Sequence, residues 1–132
     1  MQPKTTLTIA SVIGLIFSSA MFLAPEFVTR EQFPNSEGQG FADLVTLRYA
    51  VASIILALVI ISYHLRDITG HALQRHVMRV YTLAFGVVCI TNLALQLAGK
   101  ISAVPPIVGT GVIAVLSFLT WRSLISRAKN EV

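Results

Sequence analysis

Residues 41–63, FADLVTLRYAVASIILALVIISY, read as one apolar run, and Arg48 lies inside its first two turns. A hydrocarbon core about 30 Å thick takes about 20 helical residues, so the run is long enough to cross a bilayer and the arginine needs a reason. The rest of the chain repeats the pattern. Apolar segments at 7–24, 44–63, 80–98 and 104–121 are each bounded by interfacial or helix-stopping residues: Pro25-Glu26, Tyr63 to Arg66, Gly99-Lys100 and Trp121-Arg122. Composition agrees, since 55% of the 132 residues are hydrophobic and 12% charged, with a mean hydropathy of +0.74. That is too much apolar surface for a water-soluble domain of this length. The expected architecture is all-α: a single domain over 1–132, an integral membrane bundle of four transmembrane helices in up-down-up-down order.

The first segment, with Lys4 before an apolar stretch and SSAMFLA after it, has the outline of a secretory signal. Its apolar run exceeds the usual signal core, and a true span is expected. Cytoplasmic flanks hold an excess of Lys and Arg. With the N-terminus inside, Lys4, Arg66, Arg75, Arg79, Arg122, Arg127 and Lys129 collect on the cytoplasmic side, seven against the three of Arg30, Arg48 and Lys100. Both termini are therefore expected in the cytoplasm. The net charge of +4 does not point to nucleic acid, because the basic residues sit at the ends of apolar runs and form no aromatic-interleaved stripe. The single cysteine, Cys89, leaves no disulfide framework or cysteine metal cluster.

Between the first two spans, residues 26–42 carry Glu26, Glu31 and Glu37 together with Pro34, Gly38 and Gly40, and no long regular element is expected there. The segment HLRDITGHALQRHVMR, residues 64–79, reads as a basic collar in which Arg66, Arg75 and Arg79, joined by Arg122 after the last span, contact lipid head groups. The third loop is short, which makes the last two spans a hairpin. Small residues recur at four-residue spacing as Ala10, Gly14 and Ser18, as Ser53 and Ala57, and as Ala94 and Ala98. Such spacing lets helix backbones approach closely in lipid. No internal repeat relates the two halves, so an inverted-repeat transporter is not supported.

Converting position to depth brings several polar residues to one level. Arg48 is seven residues past Phe41, about 10 Å along the helix, while Asn92 and Gln96 precede Lys100 by eight and four residues, about 12 and 6 Å. Ser18, Ser19 and Thr110 fall in the same half. One reading is a cation site in the outer half of the bundle, with Arg48, Asn92, Gln96, Ser18 and Thr110 as candidate ligand-binding residues. The other is that Arg48 snorkels to the head groups or pairs with Asp43 or Glu37, while Asn92 and Gln96 join helices. His64 and His76 on facing helix ends could in principle ligate a haem, yet neither lies in the apolar core, and solvated interface histidines are the better reading. No cofactor and no metal is expected. Nucleophile elbow, phosphate loop, zinc signature and membrane-embedded carboxylates are all absent from the sequence.

A first span ending in FLAPEF, an acidic and glycine-containing loop, LRYA opening the second span and two further spans resemble a group of uncharacterised bacterial four-helix membrane proteins, a domain of unknown function. Pro25, Arg48 and Tyr49 match pattern positions, and Ala50 stands where glycine is expected. The resemblance covers most of the chain, implies the fold and carries no activity with it; the expected location is the bacterial cytoplasmic (inner) membrane, as a multi-pass protein. The resulting expectation is a non-enzymatic accessory or assembly subunit of a larger membrane complex, with membrane lipids and other membrane subunits, or further copies of itself, as partners. The alternative is a binder or carrier of a small lipophilic or anionic ligand at the site around Arg48.

Overall fold

Proline and glycine set the helix ends. The computed structural model describes residues 2–130, with the side chains of 2–127. Five helices follow in order: α1 (Pro3–Leu23), α2 (Pro25–Gln32), α3 (Gly38–Leu65), α4 (His71–Leu97) and α5 (Val104–Asn130). Pro25 lacks an N–H and occupies the first turn of α2, so the chain bends at Ala24 (φ −138°, ψ 55°) and restarts as a short helix. Phe33, the residue before Pro34, leaves the helical region (φ −128°, ψ 69°) and ends that helix. At the end of α4, Gly99 takes φ 67° while its N–H donates to Gln96 O at 3.0 Å and the Lys100 N–H donates to Leu95 O at 3.0 Å. This reciprocal pair satisfies two of the orphan carbonyls and turns the chain into α5.

Four of these helices, α1, α3, α4 and α5, are long and apolar enough to span a membrane. α1 packs along α3, α4 packs along α5, and a narrower contact between α1 and α5 joins the two pairs. Leu7, Met78 and Leu124 form a buried cluster wrapped by Leu65, Val77, Tyr81 and Trp121, so all four long helices meet at one end of the bundle. Polar contacts reinforce that end. Thr6 and Thr120 share a hydroxyl hydrogen bond of 2.7 Å, and Ser62 and Tyr81 share one of 2.6 Å. Lys4 reaches Asp67 at 2.9 Å and, together with Arg66, holds the Asp67 carboxyl below its ordinary pKa. Away from this end α3 and α4 do not pack along one another, although they are consecutive in the chain. The bundle is closed at the 66–70 turn and parted further along.

The small-residue stripe on α1 is the seam against α3. Ala10 and Ser18 are buried, Ser18 Oγ donates to Ala52 O at 2.9 Å, and a Cβ at Gly14 would lie 2.6 Å from Val59 Cγ2. The other two stripes are not seams: Ser53, Ala57, Ala94 and Ala98 are exposed. On α3 the packed face is Ala52, Ile55 and Val59, one register earlier. Large apolar side chains such as Ile54, Leu83 and Ile90 are well over half exposed, the inverse of a water-soluble bundle. Lipid is as apolar as these groups, so tight fit drives helix association here more than burial does.

Two sequence expectations are corrected. Residues 26–42 were expected to hold no long regular element, yet besides the eight-residue α2 they contain the first turn of the 28-residue α3, where Gly38 (φ 57°) opens the helix and Gly40 stands in open space. The basic collar is mostly helical as well, since α3 runs to Leu65 and α4 starts at His71, nine residues earlier than 80.

Gly109 lets α5 approach α1: a Cβ there would stand 2.6 Å from Phe17 Cε2 and 3.1 Å from Cζ, atoms of a rigid ring. Gly109→Leu is therefore expected to destabilise by about 1–3 kcal/mol or more through overpacking. Gly86→Ala, at a position with open space around it, gains about 1 kcal/mol of helix propensity at most. Thermal unfolding in mild detergent reads both. Equal midpoints for the two variants would refute close approach at Gly109.

Candidate functional site

The site begins with α2, PEFVTREQ, which has Pro25 at its start, Glu26 in its first turn and Arg30 in its last, charges placed favourably for the helix dipole. The Ser102 N–H donates to Gln32 O at 2.9 Å and pins its far end to the turn before α5. Thr29 on this helix is fully buried against α3. Arg48, only 7% exposed, donates from Nε to Thr29 Oγ1 at 3.2 Å, and its guanidinium carbon lies 5.4 Å from the centre of the Phe33 ring. Among the described residues no carboxylate is in ion-pair range of it, and its buried Nη2 has no hydrogen-bond acceptor. A buried charged donor without an acceptor costs more than the 1–3 kcal/mol of a neutral one, roughly. Here a guanidinium is held through Nε alone, with its Nη2 left unpartnered.

Arg48 borders a partly open cavity of about 330 Å³ lined by α1, α3, α4 and α5. Its wall is predominantly apolar, with Ile13, Phe17, Val51, Ile55, Phe85 and Val88 among the lining, and Asn92, Thr110, Gln32 and Ser62 supply the polar edges. Arg48 is the one charged side chain on it among the described residues. This volume is at the lower end of the roughly 300–1,000 Å³ seen for small-molecule sites, which share the same pattern of apolar walls with few polar groups.

The residues singled out in the sequence separate in the structure. Arg48 points into the protein, so it neither snorkels nor pairs with Asp43, which accepts instead from Gln39 Nε2 at 2.8 Å. Asn92 and Thr110 line the same cavity as Arg48 but spend their hydrogen bonds on their own helices, Asn92 Nδ2 to Val88 O at 2.9 Å and Thr110 Oγ1 to Pro106 O at 2.7 Å. Gln96 and Ser18 do not line it. Gln96 Oε1 accepts the Ala103 N–H at 3.1 Å and caps the start of α5, and Ser18 is part of the α1–α3 seam. Of the collar arginines, Arg66 is half-buried over Tyr63 (3.6 Å) and Arg75 is half-buried, while Arg79 and Arg122 are exposed. His64, His71 and His76 are exposed.

The partners that hold Arg48, Thr29 and Phe33, are not apparent from the sequence. Pro25 followed by an acidic and then a basic turn is a readable sign of α2, but no spacing rule links Thr29 to a residue nineteen positions later. No family model matches the chain, and neither the curated proteins nor the solved structures yield a match.

If Thr29 is the acceptor that makes the buried guanidinium tolerable, Thr29→Val should cost about 1–3 kcal/mol. Arg48→Met, which replaces a buried charge by a flexible apolar chain, should be neutral or stabilising. In the Arg48→Met background the cost of Thr29→Val should then disappear, a coupling that a double-mutant cycle in detergent measures. Additive effects would show that the two side chains do not depend on each other.

Proposed function

We propose that this protein binds a small amphipathic anion within the membrane, its apolar body in the cavity and its charged end at Arg48, as a binder or carrier without catalysis. The observation that carries the reading is the buried guanidinium with an unpartnered Nη2 beside an apolar cavity. A purely structural arginine at this depth would be expected to find a carboxylate, a carbonyl or the head-group layer. Asn92 and Thr110 stand as secondary contacts on the same wall. Gln96 and Ser18 leave the proposed ligand set, since both are committed elsewhere.

The accessory-subunit role is the second reading, favoured by the broad apolar faces of α3 and α4, where Ile54, Leu83 and Ile90 are exposed. Partner helices or a second copy could cover these faces as well as lipid does. For topology we place the four spans up-down-up-down with both termini in the cytoplasm, as a multi-pass protein of a bacterial inner membrane. The excess of Lys and Arg on that side supports the placement. Arg66, Arg75, Arg79 and Arg122 would then face anionic head groups.

Native mass spectrometry of protein extracted in mild detergent, followed by solvent extraction of bound small molecules, tests both. The expected result is one anionic amphiphile per chain, lost at least about tenfold in Arg48→Met while insertion is unchanged. Bulk phospholipid indifferent to Arg48 would overturn the binder reading. A stable complex with other chains and no adduct would favour the accessory role.

A further inference from the structure

The shape of the cavity narrows the class of occupant, given the binder reading above. Arg48 and Ser62 both line it and are fourteen residues apart on α3, so it runs roughly 21 Å along the helix. A volume of about 330 Å³ spread over that length makes it long and narrow, a shape that suits an extended alkyl chain. At one end stands a buried guanidinium whose Nη2 is unpartnered among the described residues, and at the other lies Ser62, hydrogen-bonded to Tyr81. Along the side α3 and α4 leave a gap, because they do not pack along one another.

We propose that the cavity takes a single-chain anionic amphiphile, a carboxylate or phosphate head on Arg48 and one alkyl chain running toward Ser62, and that it loads sideways from the bilayer between α3 and α4. The planar guanidinium suits both head groups, which accept two parallel hydrogen bonds from it. Sideways access spares the chain any passage through water. It also explains why two consecutive helices are joined at their connected ends and not elsewhere. Seven residues on from Ser62···Tyr81 along each helix, Ile55 and Val88 both line the shaft.

The test uses the full chain in lipid nanodiscs with four probes: hexadecanoate, hexadecyl phosphate, hexadecan-1-ol and a diacyl phosphatidate. The acid and the monoalkyl phosphate should bind one per chain, the alcohol about tenfold more weakly, and the diacyl lipid should fail to displace the acid. Arg48→Met should bring acid and alcohol to equal affinity. Val88→Phe, which fills the shaft without touching Arg48, should weaken both. A reversible thiol cross-link between Ile55→Cys and Val88→Cys in a Cys89→Ala background should slow exchange of the acid about tenfold or more, with recovery on cleavage. Equal displacement by the diacyl lipid overturns the single-chain claim, an alcohol as tight as the acid overturns the anion claim, and unchanged exchange in the cross-linked protein overturns sideways loading. Binding of none of the probes, by a protein that still unfolds cooperatively, removes the binder reading itself.

Discussion

The structure is organised around a guanidinium withheld from water. Arg48 is carried into the protein by α3 at a depth where exposure to hydrocarbon is expensive and the head-group layer is within reach of a long side chain. It turns inward instead, because α2 folds over it and offers Thr29 Oγ1 to Nε and the face of Phe33 to the charged plane. That arrangement requires α2 to be a helix, requires its end to be tied to the turn before α5, and requires α1 to stop at Leu23 so that the chain can cross back. The kink at Pro25 is thus linked to the charge at Arg48 through two helices and one hydrogen bond.

A second constraint comes from the solvent. In lipid, apolar side chains gain little by turning inward, and helices associate where backbones fit closely or polar groups meet. The seams obey this. α1 meets α3 through Gly14 against Val59 and Ser18 against Ala52, α1 meets α5 through Gly109 against Phe17, and the end of the bundle near the 66–70 turn is joined by hydroxyl pairs. Where neither small residues nor hydrogen bonds are supplied, as between the middle parts of α3 and α4, the helices separate. The cavity follows from that shortfall, so the same packing rule that holds the bundle together also opens it.

Much of the fold was legible in the linear chain because its signals are local. Hydropathy over windows of about 20 residues locates the four spans, and Pro25, Gly70 and Gly99 mark three of the breaks between helices. The polar level shared by Arg48, Asn92 and Thr110 was also readable, since depth along a helix is a matter of counting. Rotation was not. Whether Ser53 or Ala52 faces α1, or whether Gln96 caps a neighbour instead of facing the cavity, depends on the azimuth of each helix. In water a polar face opposite an apolar one would reveal that azimuth, but a helix that is apolar on every side carries no such mark.

By itself, then, the sequence determined an all-α chain with four membrane-length helices, an arginine partway along one of them and no recognisable catalytic motif, because length, composition and periodicity suffice for each. Only the tertiary structure decided that the arginine turns inward, that Thr29 and Phe33 hold it and that its Nη2 finds no partner among the described residues. It alone decided that α3 and α4 part to form a cavity beside the arginine. Those outcomes rest on contacts between residues far apart in the chain, where the choice among faces of nearly equal hydrophobicity is made by fit and by hydrogen bonding.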